Sequence, residues 1–533
     1  MQSIHREKRA GLEKHGQTYM TMHKSVHACR GELLKRIKVA IFTTFATFMA
    51  CGVQLCAQGP AGLGDWPQWR GAQRDGLSQE TGLARTWPEG GPPIIWQVDH
   101  VGLGYSSLAI KDGRIFTLGN LDGVEHIICL KADDGSLVWA VQPTTAASKL
   151  KQRVADALAR FDANRDGGID KAEAQDEAAL RDFELLDMTA DGVLSPAELR
   201  GAYGGFHDDM GAGPRGTPCV DGNRVFTLGC MGDLACLEAE TGQTVWSLNL
   251  VDDFGGRHTG RGFSESPLVD GERLVVSPGG AEGAVIALEK STGKLVWLSR
   301  EVEERIQYAS AIAANIAGER MIVQFGSLGL FGLSAHDGRL LWRYGHVSSG
   351  VANVCTPIVW NDHVFASSAY NTGSGLVKVS RDNVSGDKAS GADEEWQATE
   401  VYFNTRLANH HGGVVRVGDY LYGTGNNSLV AMEFFTGKVA WVNRSVGKGS
   451  LIGADGMLYV VGENHNMCLV EATPESYREQ GRVELPDLGH PTWSHPVIAG
   501  GRLYIRIQQR LIAFDVQGGL ADAKAPAGGN EPR

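Results

Sequence analysis

The chain has 533 residues, 62 acidic against 50 basic side chains, a formal charge of −12 and 70 glycines. A body this acidic argues against nucleic acid or an anionic membrane as a partner. The length far exceeds what a minimal core needs, and the glycines suit a fold built from tight turns.

The N-terminus runs opposite in sign. The first 57 residues hold nine Lys or Arg against three Asp or Glu, +6, which leaves −18 on the remainder. LLKRIK (33–38) is a basic flank, and VAIFTTFATFMA (39–50) is an apolar run too short to span a bilayer. Residues 1–57 therefore read as an export signal, with cleavage after Ala57 and no membrane span once it is removed. Leu55 is a poor residue three positions before that cut. Phe48-Met49-Ala50-Cys51 faintly resembles a lipoprotein cleavage box, with Phe and Met poor at its first two positions, so a lipid anchor is the lesser alternative. Met20 and Met22 are alternative starts. The expected location is the periplasm or cell envelope.

PIIWQV (93–98) is an isolated strand signal. After it a phrase begins to return: CLKADDGSLVW (129–139), CLEAETGQTVW (236–246), ALEKSTGKLVW (287–297), GLSAHDGRLLW (332–342) and AMEFFTGKVAW (431–441). Recurrence in step marks one supersecondary unit stacked on itself. The Thr-Gly or Asp-Gly pair makes a turn, because Gly accepts φ > 0 without steric cost. The apolar run ending in Trp makes the next strand. Upstream, pairs such as SPLVDG and RLVVSP (266–271 and 273–278) add two strands around an Asp-Gly hairpin.

Eight units follow, opening near Ser107, Gly216, Ser266, Ser310, Thr356, Gly412, Gly449 and Ser494. A polar stretch around 381–395 distorts the fifth, where Trp396 is the candidate for the Trp slot. The seventh lacks the turn phrase. The eighth stops after three strands at IAFDV (512–516), and PIIWQV is the donor for its fourth. Closing a ring end to end leaves no open sheet edge. The expected fold is all-β, an eight-bladed β-propeller of four-stranded antiparallel blades with a small α-helical insert. The division is 65–142 for the closing strand and blade 1, 143–215 for the insert, 216–516 for blades 2–8, and 517–533 for a disordered tail.

The A-x-[DE]-x-x-T-G-x-x-x-W phrase resembles the tryptophan-docking repeat of the pyrroloquinoline quinone (PQQ) propeller superfamily, over roughly Asp65 to Val516 apart from one insert. That resemblance implies the fold. It leaves function open, because the superfamily holds both PQQ-dependent dehydrogenases and cofactor-free propellers of the BamB type.

The insert carries its own chemistry. DANRDGGIDKAE (162–173) matches a twelve-residue EF-hand loop, with Asp162, Asn164, Asp166, the Gly168 carbonyl, Asp170 and Glu173 as ligands and Gly167 at the turn. DMTADGVLSPAE (187–198) repeats it with Asp187, Thr189, Asp191, the Val193 carbonyl, Ser195 and Glu198 around Gly192. Ca²⁺ is a hard cation that wants six or seven oxygens, which this spacing supplies twice. Ile169 and Leu194 share position 8, where paired loops form a short β-bridge. Leu158/Phe161 and Phe183/Leu186 recur at matching offsets as helical faces. Loop one, with four carboxylates against three, should bind tighter. The insert joins an outer strand to the next inner strand, which places it beside the axial mouth.

Other connections on that face offer Arg257, His258, Arg261, Arg406, His410, His411, Trp493 and His495 as mouth candidates for an anion or polar ligand. Solvated loop polarity is the bland alternative. No ligand spacing supports a transition-metal site among His410, His411, His490 and His495. The six cysteines past Ala57 read as small buried residues, with Cys230 and Cys236 near each other across a hairpin. GAGPRG (211–216) opens no helix and fails as a dinucleotide motif.

Two function classes compete. The leading one is an exported, calcium-binding, non-enzymatic scaffold with protein partners at the mouth. The alternative is a PQQ-dependent dehydrogenase, in which the family resemblance would require PQQ beneath a ring of two adjacent disulfide-bonded cysteines; the chain has no Cys-Cys pair. A sugar- or polymer-binding propeller, suggested by Trp66, Trp69, Trp87 and Trp493, stands third.

Overall fold

The computed structural model describes residues 64–518, except 177–179, 181–182, 188, 205–206, 209–210 and 383–394. The export segment and residues 519–533 of the tail lie outside the described residues.

Eight four-stranded antiparallel blades form the ring. Their inner strands are Ala109–Lys111, Cys219–Asp221, Leu268–Asp270, Ile312–Ile316, Ile358–Trp360, Val415–Val417, Gly449–Ala454 and Val497–Ala499. Tight hairpins set the registers. In blade 1, Lys111 pairs with Arg114 across Asp112 and Gly113, whose φ angles of +50° and +71° match the twist of the strands they join. The eighth blade takes Ile94–Val98 as its outer strand, antiparallel to Arg510–Asp515. The strand that arrives before blade 1 therefore closes the ring, as the sequence predicts.

The repeat phrase is a docking device between neighbours. Trp139 of blade 1 donates its indole N–H to the Ala239 carbonyl of blade 2 at 3.2 Å. Trp246 reaches Lys290 at 3.0 Å, and Trp297 reaches Ala335 at 3.1 Å. The phrase glycine of the next blade lies under each ring. A Cβ on Gly242 would stand 2.8 Å from Trp139, and one on Gly338 2.4 Å from Trp297. Gly is needed there twice over, for its φ near +75° and for the approach of the ring.

Blade 5 corrects one expectation. Trp396 pairs with Arg381 far out on a hairpin whose two strands, Gly373–Asp382 and Glu395–Asn404, are ten residues each. Tyr402 occupies the docking register instead, opposite Leu376 and beside the strand irregularity that follows the Trp register in the other blades. A Cβ on Gly437 would stand 2.6 Å from the Tyr402 ring. The long hairpin adds residues before the slot, so counting from the phrase misses it.

Residues 65–80 thread the axis. Trp66 pairs with Ile110 of blade 1, and the Pro67 carbonyl accepts from Val220 N of blade 2. Arg74 donates to the Ser266 and Pro267 carbonyls of blade 3 at 2.9 and 2.8 Å. Trp69 donates to Thr356 Oγ1 of blade 5 at 2.9 Å, and Arg70 reaches the Gly412 and Val414 carbonyls of blade 6 at 3.1 and 2.5 Å. Leu77–Ser78 runs parallel to Gly453–Ala454 of blade 7, and Glu80 accepts from Gly500 and Gly501 of blade 8. Arg70 and Arg74 are buried at left-handed φ of 60° and 55°. Such backbone costs on the order of 1 kcal/mol or more per residue, which these charged hydrogen bonds outweigh.

The insert begins with the helix Thr144–Phe161; its last helix is Pro196–Gly204, after which His207–Asp208 pairs antiparallel with Gly211–Ala212. Its core of Leu150, Val154, Ile169, Phe183, Leu186, Leu194 and Leu199 is continuous with Val124 of blade 1. Lys149 pairs with Asp252 at 2.7 Å, beyond the outer strand of blade 2. A Cβ on Gly123 would stand 2.7 Å from Gly201 Cα, so the last insert helix rests directly on a blade 1 turn. Among the described residues, no helix is long and apolar enough to cross a membrane.

Candidate functional site

Connections between blades and the turns between second and third strands meet on one face around the axis. Trp69 forms the floor. Its ring centroid lies 4.3 Å from that of His495 in blade 8, while its N–H is held by blade 5, so the half-buried indole spans the channel. His495 is buried, and its Nε2 lies 2.7 Å from the His411 carbonyl. A carbonyl only accepts, so Nε2 carries the proton and Nδ1 is bare. Burial, then the nearby Arg70, push the His495 imidazole down to about 3.

Trp493 and Tyr105 form one wall, with centroids 4.8 Å apart. The Trp493 N–H donates to Glu463 Oε1 at 3.0 Å, and Lys448 Nζ lies 2.6 Å from Glu463 Oε2. His411 Nε2 stands 3.5 Å from Glu463 Oε1, at ion-pair distance but short of a formed hydrogen bond, and its Nδ1 is buried without a partner. Burial opposes ionisation of Glu463, but His411, Lys448 and Trp493 together hold its carboxyl well below the usual range. His410 Nε2 lies 2.7 Å from the Tyr370 hydroxyl. Burial, then His411 and Lys448, push His410 down to about 4.

The structure thus joins His410, His411, Trp493 and His495 in one cluster. Arg257, His258 and Arg261 belong to a separate loop between blades 2 and 3, where His258 Nδ1 meets the Thr259 carbonyl and its ring packs on Phe263. Arg406 sits exposed just beyond the outer strand of blade 5. Sequence reading missed Glu463, Lys448, Tyr105, Tyr370 and the role of Trp69. Glu463 and Tyr370 lie in turns between second and third strands, which share the mouth face in any propeller; that was the usable signal.

The two EF-hand loops repeat one hydrogen-bonding scheme. Asp162 accepts from Asp166 N and Gly167 N at 3.1 Å each, and Asp187 from Asp191 N and Gly192 N at 3.2 and 2.9 Å. Glu173 accepts from Ala163, Asn164 and Asp170 amides, and Glu198 from Thr189 and Ser195 amides. Position 4 is left-handed in both loops, Arg165 at 61° and Ala190 at 55°, as are Gly167 and Gly192. Ile169 pairs with Leu194. Burial opposes ionisation of Glu198, but Ser195 and Thr189 bonds hold it down to about 2. The donors are hard oxygens spaced for calcium. Among the described residues, no three His, Cys, Asp or Glu side chains converge on one point, because these carboxylates face loop amides.

The six described cysteines are buried, and Cys230 Sγ donates to Glu125 Oε2 at 2.9 Å. Burial pushes thiols such as Cys219 and Cys355 up to about 11.

A family model described as "Outer membrane protein assembly factor BamB" matches residues 185–409 and 382–531, and an EF-hand model matches 154–175. The outer membrane protein assembly factor BamB of Moranella endobia is 24% identical over 270 residues, covering 48% of this chain and 64% of that protein, so the match spans less than two thirds of the relative. Among solved structures, BamB from Moraxella catarrhalis is 15% identical with TM-score 0.41, covering 55% of this chain and 82% of its own. A quinohemoprotein alcohol dehydrogenase from Pseudomonas putida HK5 is 12% identical with TM-score 0.44, covering 88% and 82%.

Proposed function

The chain belongs to the BamB-type PQQ-like propeller family, and from that premise we propose that it is an exported, non-enzymatic binding scaffold of the periplasm or cell envelope that meets protein partners at its axial mouth. The observation that supports this most is the filled axis. Residues 65–80 bond to seven of the eight blades, and Trp69, Arg70 and Arg74 take the centre of the channel. A rigid floor lowers the ordering cost of binding.

Calcium belongs to the same reading. Asp162, Asn164, Asp166, Gly168, Asp170 and Glu173 would hold one ion, and Asp187, Thr189, Asp191, Val193, Ser195 and Glu198 a second. Bound calcium would supply structural cross-linking of the two loops. The division into closing strand with blade 1, insert and blades 2–8 is part of this proposal.

The alternative remains a PQQ-dependent dehydrogenase. Titration of the mature protein with PQQ in excess calcium, followed by calorimetry and a dye-linked screen of alcohols and sugars, separates the two. The scaffold reading expects no saturable heat and no dye reduction. A one-site signal with substrate-dependent reduction would replace it with the dehydrogenase.

A further inference from the structure

We propose that the mouth face over blades 4–6 docks an acidic peptide that carries large apolar side chains. This rests on the scaffold reading of the mouth and names the partner's chemistry. Leu328 and Val351, at 63% and 58% exposure, are the two most exposed large apolar side chains among the described residues, and Tyr370 stands at 49%. Leu328 lies in the turn between the second and third strands of blade 4. Val351 lies in the connection from blade 4 to blade 5, and Tyr370 in the turn between the second and third strands of blade 5.

Asn353 ties these loops together. Its buried side chain donates to the Gly326 carbonyl at 2.8 Å and to Ser348 Oγ at 3.2 Å, and accepts from Ser349 N and Ser368 Oγ at 2.8 Å each. Ser348 Oγ donates in turn to the Ser327 carbonyl at 2.7 Å. Tyr370 and Asn371 have φ of +54° and +65°, where the corresponding turn of blade 6 has Asn426 and Asn427. Asn tolerates that backbone, and an aromatic residue rarely adopts it. Apolar side chains on loops held this firmly lose little freedom when a partner covers them.

Charge selects the partner. The protein is acidic overall, yet the loops of this sector, 326–328, 345–353, 369–372, 405–411 and 444–448, hold no Asp or Glu. The acids at its margin are engaged. Glu304 pairs with Arg343 and Glu463 with Lys448, at 2.6 Å each, and Glu400 meets the Tyr344 hydroxyl at 2.6 Å and His346 Nδ1 at 2.8 Å. Glu303 and Arg305, both exposed, offset each other on the connection from blade 3. Arg406 and Arg444 remain, exposed and outside any ion pair among the described residues. Their charge favours an anionic partner over a cationic one. A small anion would leave Leu328 and Val351 in water, whereas a peptide can cover both.

The test uses the full mature protein and three fluorescein-labelled heptapeptides, read by anisotropy: one alternating Asp with Phe, one with Lys for Asp and one with Ser for Phe. The expected Kd is about 100 μM for the Asp–Phe peptide and at least about tenfold weaker for the other two, with affinity falling as salt rises. Leu328→Ser and Arg406→Glu should each weaken binding at least about fivefold. Leu137→Ser, at a side chain 52% exposed on the outer strand of blade 1, should leave it unchanged. Equal affinity for the Lys–Phe peptide, no binding up to about 5 mM, or full affinity in both mouth variants would each overturn the proposal. So would sedimentation showing a dimer that Leu328→Ser dissociates, because a second copy would then be the occupant. Dye reduction with bound PQQ would sink the scaffold reading whatever the peptides do. Peptide silence without PQQ binding sinks only this inference.

Discussion

Trp96 donates its indole N–H to the Ala132 carbonyl at 3.1 Å, and a Cβ on Gly135 would stand 2.8 Å from its ring. This repeats the Trp139–Ala239 contact one blade further on. Trp96, however, lies in the outer strand of blade 8 and precedes blade 1 in sequence. One inter-blade contact thus serves both as repeat and as clasp.

Removing the clasp should therefore cost what removing a packed aromatic costs. Trp96→Ala is expected to lose about 3 kcal/mol. Trp96→Phe keeps the ring packing but loses the hydrogen bond, and should lose about 1 kcal/mol. Urea unfolding of both variants checks the ratio.

Arg506 fastens the same seam from inside. Its buried guanidinium reaches Thr117 Oγ1 and the Leu118 carbonyl at 2.6 Å each, the Gly102 carbonyl at 2.9 Å and the Ser106 carbonyl at 3.1 Å. Burial lowers its pKa to about 9, so it still carries its charge near neutrality. Arg506→Lys keeps a charge but has no planar fork to span these acceptors. We expect a loss of about 3 kcal/mol by chemical denaturation, from buried carbonyls left unpaired.

The axial plug is testable at Gly76. Its φ is +78°, and a Cβ there would meet Arg70 Nη2 at 2.8 Å and Val415 Cγ1 at 2.9 Å. Gly76→Ala should cost about 2 kcal/mol through backbone strain and displacement of Arg70. Acrylamide should then quench tryptophan emission more strongly as Trp69 loosens.

Two buried groups pull stability in opposite directions with pH. His495, lowered to about 3, contributes stability that is present above pH 6.5 and lost as pH falls toward 3. Glu265, raised to about 7 by burial against bonds from Ser277 and the nearby Arg74, holds its proton in the fold. Its contribution is present below pH 4.5 and lost as pH rises through 7. Glu265→Gln keeps the proton-like amide, so its stability relative to wild type should rise by roughly 2–4 kcal/mol between pH 4.5 and 8. Denaturant midpoints at the two pH values provide the check.

Calcium should stabilise more than the insert. At a hundredfold excess over Kd, one site adds about 2.7 kcal/mol. Because Val124 shares the insert core and Gly123 touches Gly201, chelation should raise hydrogen exchange in the blade 1 turn at 121–126 while blades 3–6 stay protected. Asp162→Ala with Glu173→Ala should remove one calorimetric site and leave the second. Melting of the whole ring on chelation would show that the insert is part of the ring core.

The sequence by itself determined the eight blades, the closing strand and the two calcium-loop patterns. Each rests on signals local in the chain: alternation of period two, a turn glycine, or ligand types within twelve residues. Tertiary structure alone decided what fills the axis and what charge the mouth carries. Trp69 meets Thr356 and His495, and Arg70 meets Gly412, across more than 280 residues of chain, and no local pattern encodes such pairs. The histidines were legible as residues but not as neutral groups, because an imidazole loses its charge only where the fold removes its water. Tyr402 displaced Trp396 for a related reason, since register is fixed by the strand opposite and not by distance along the chain.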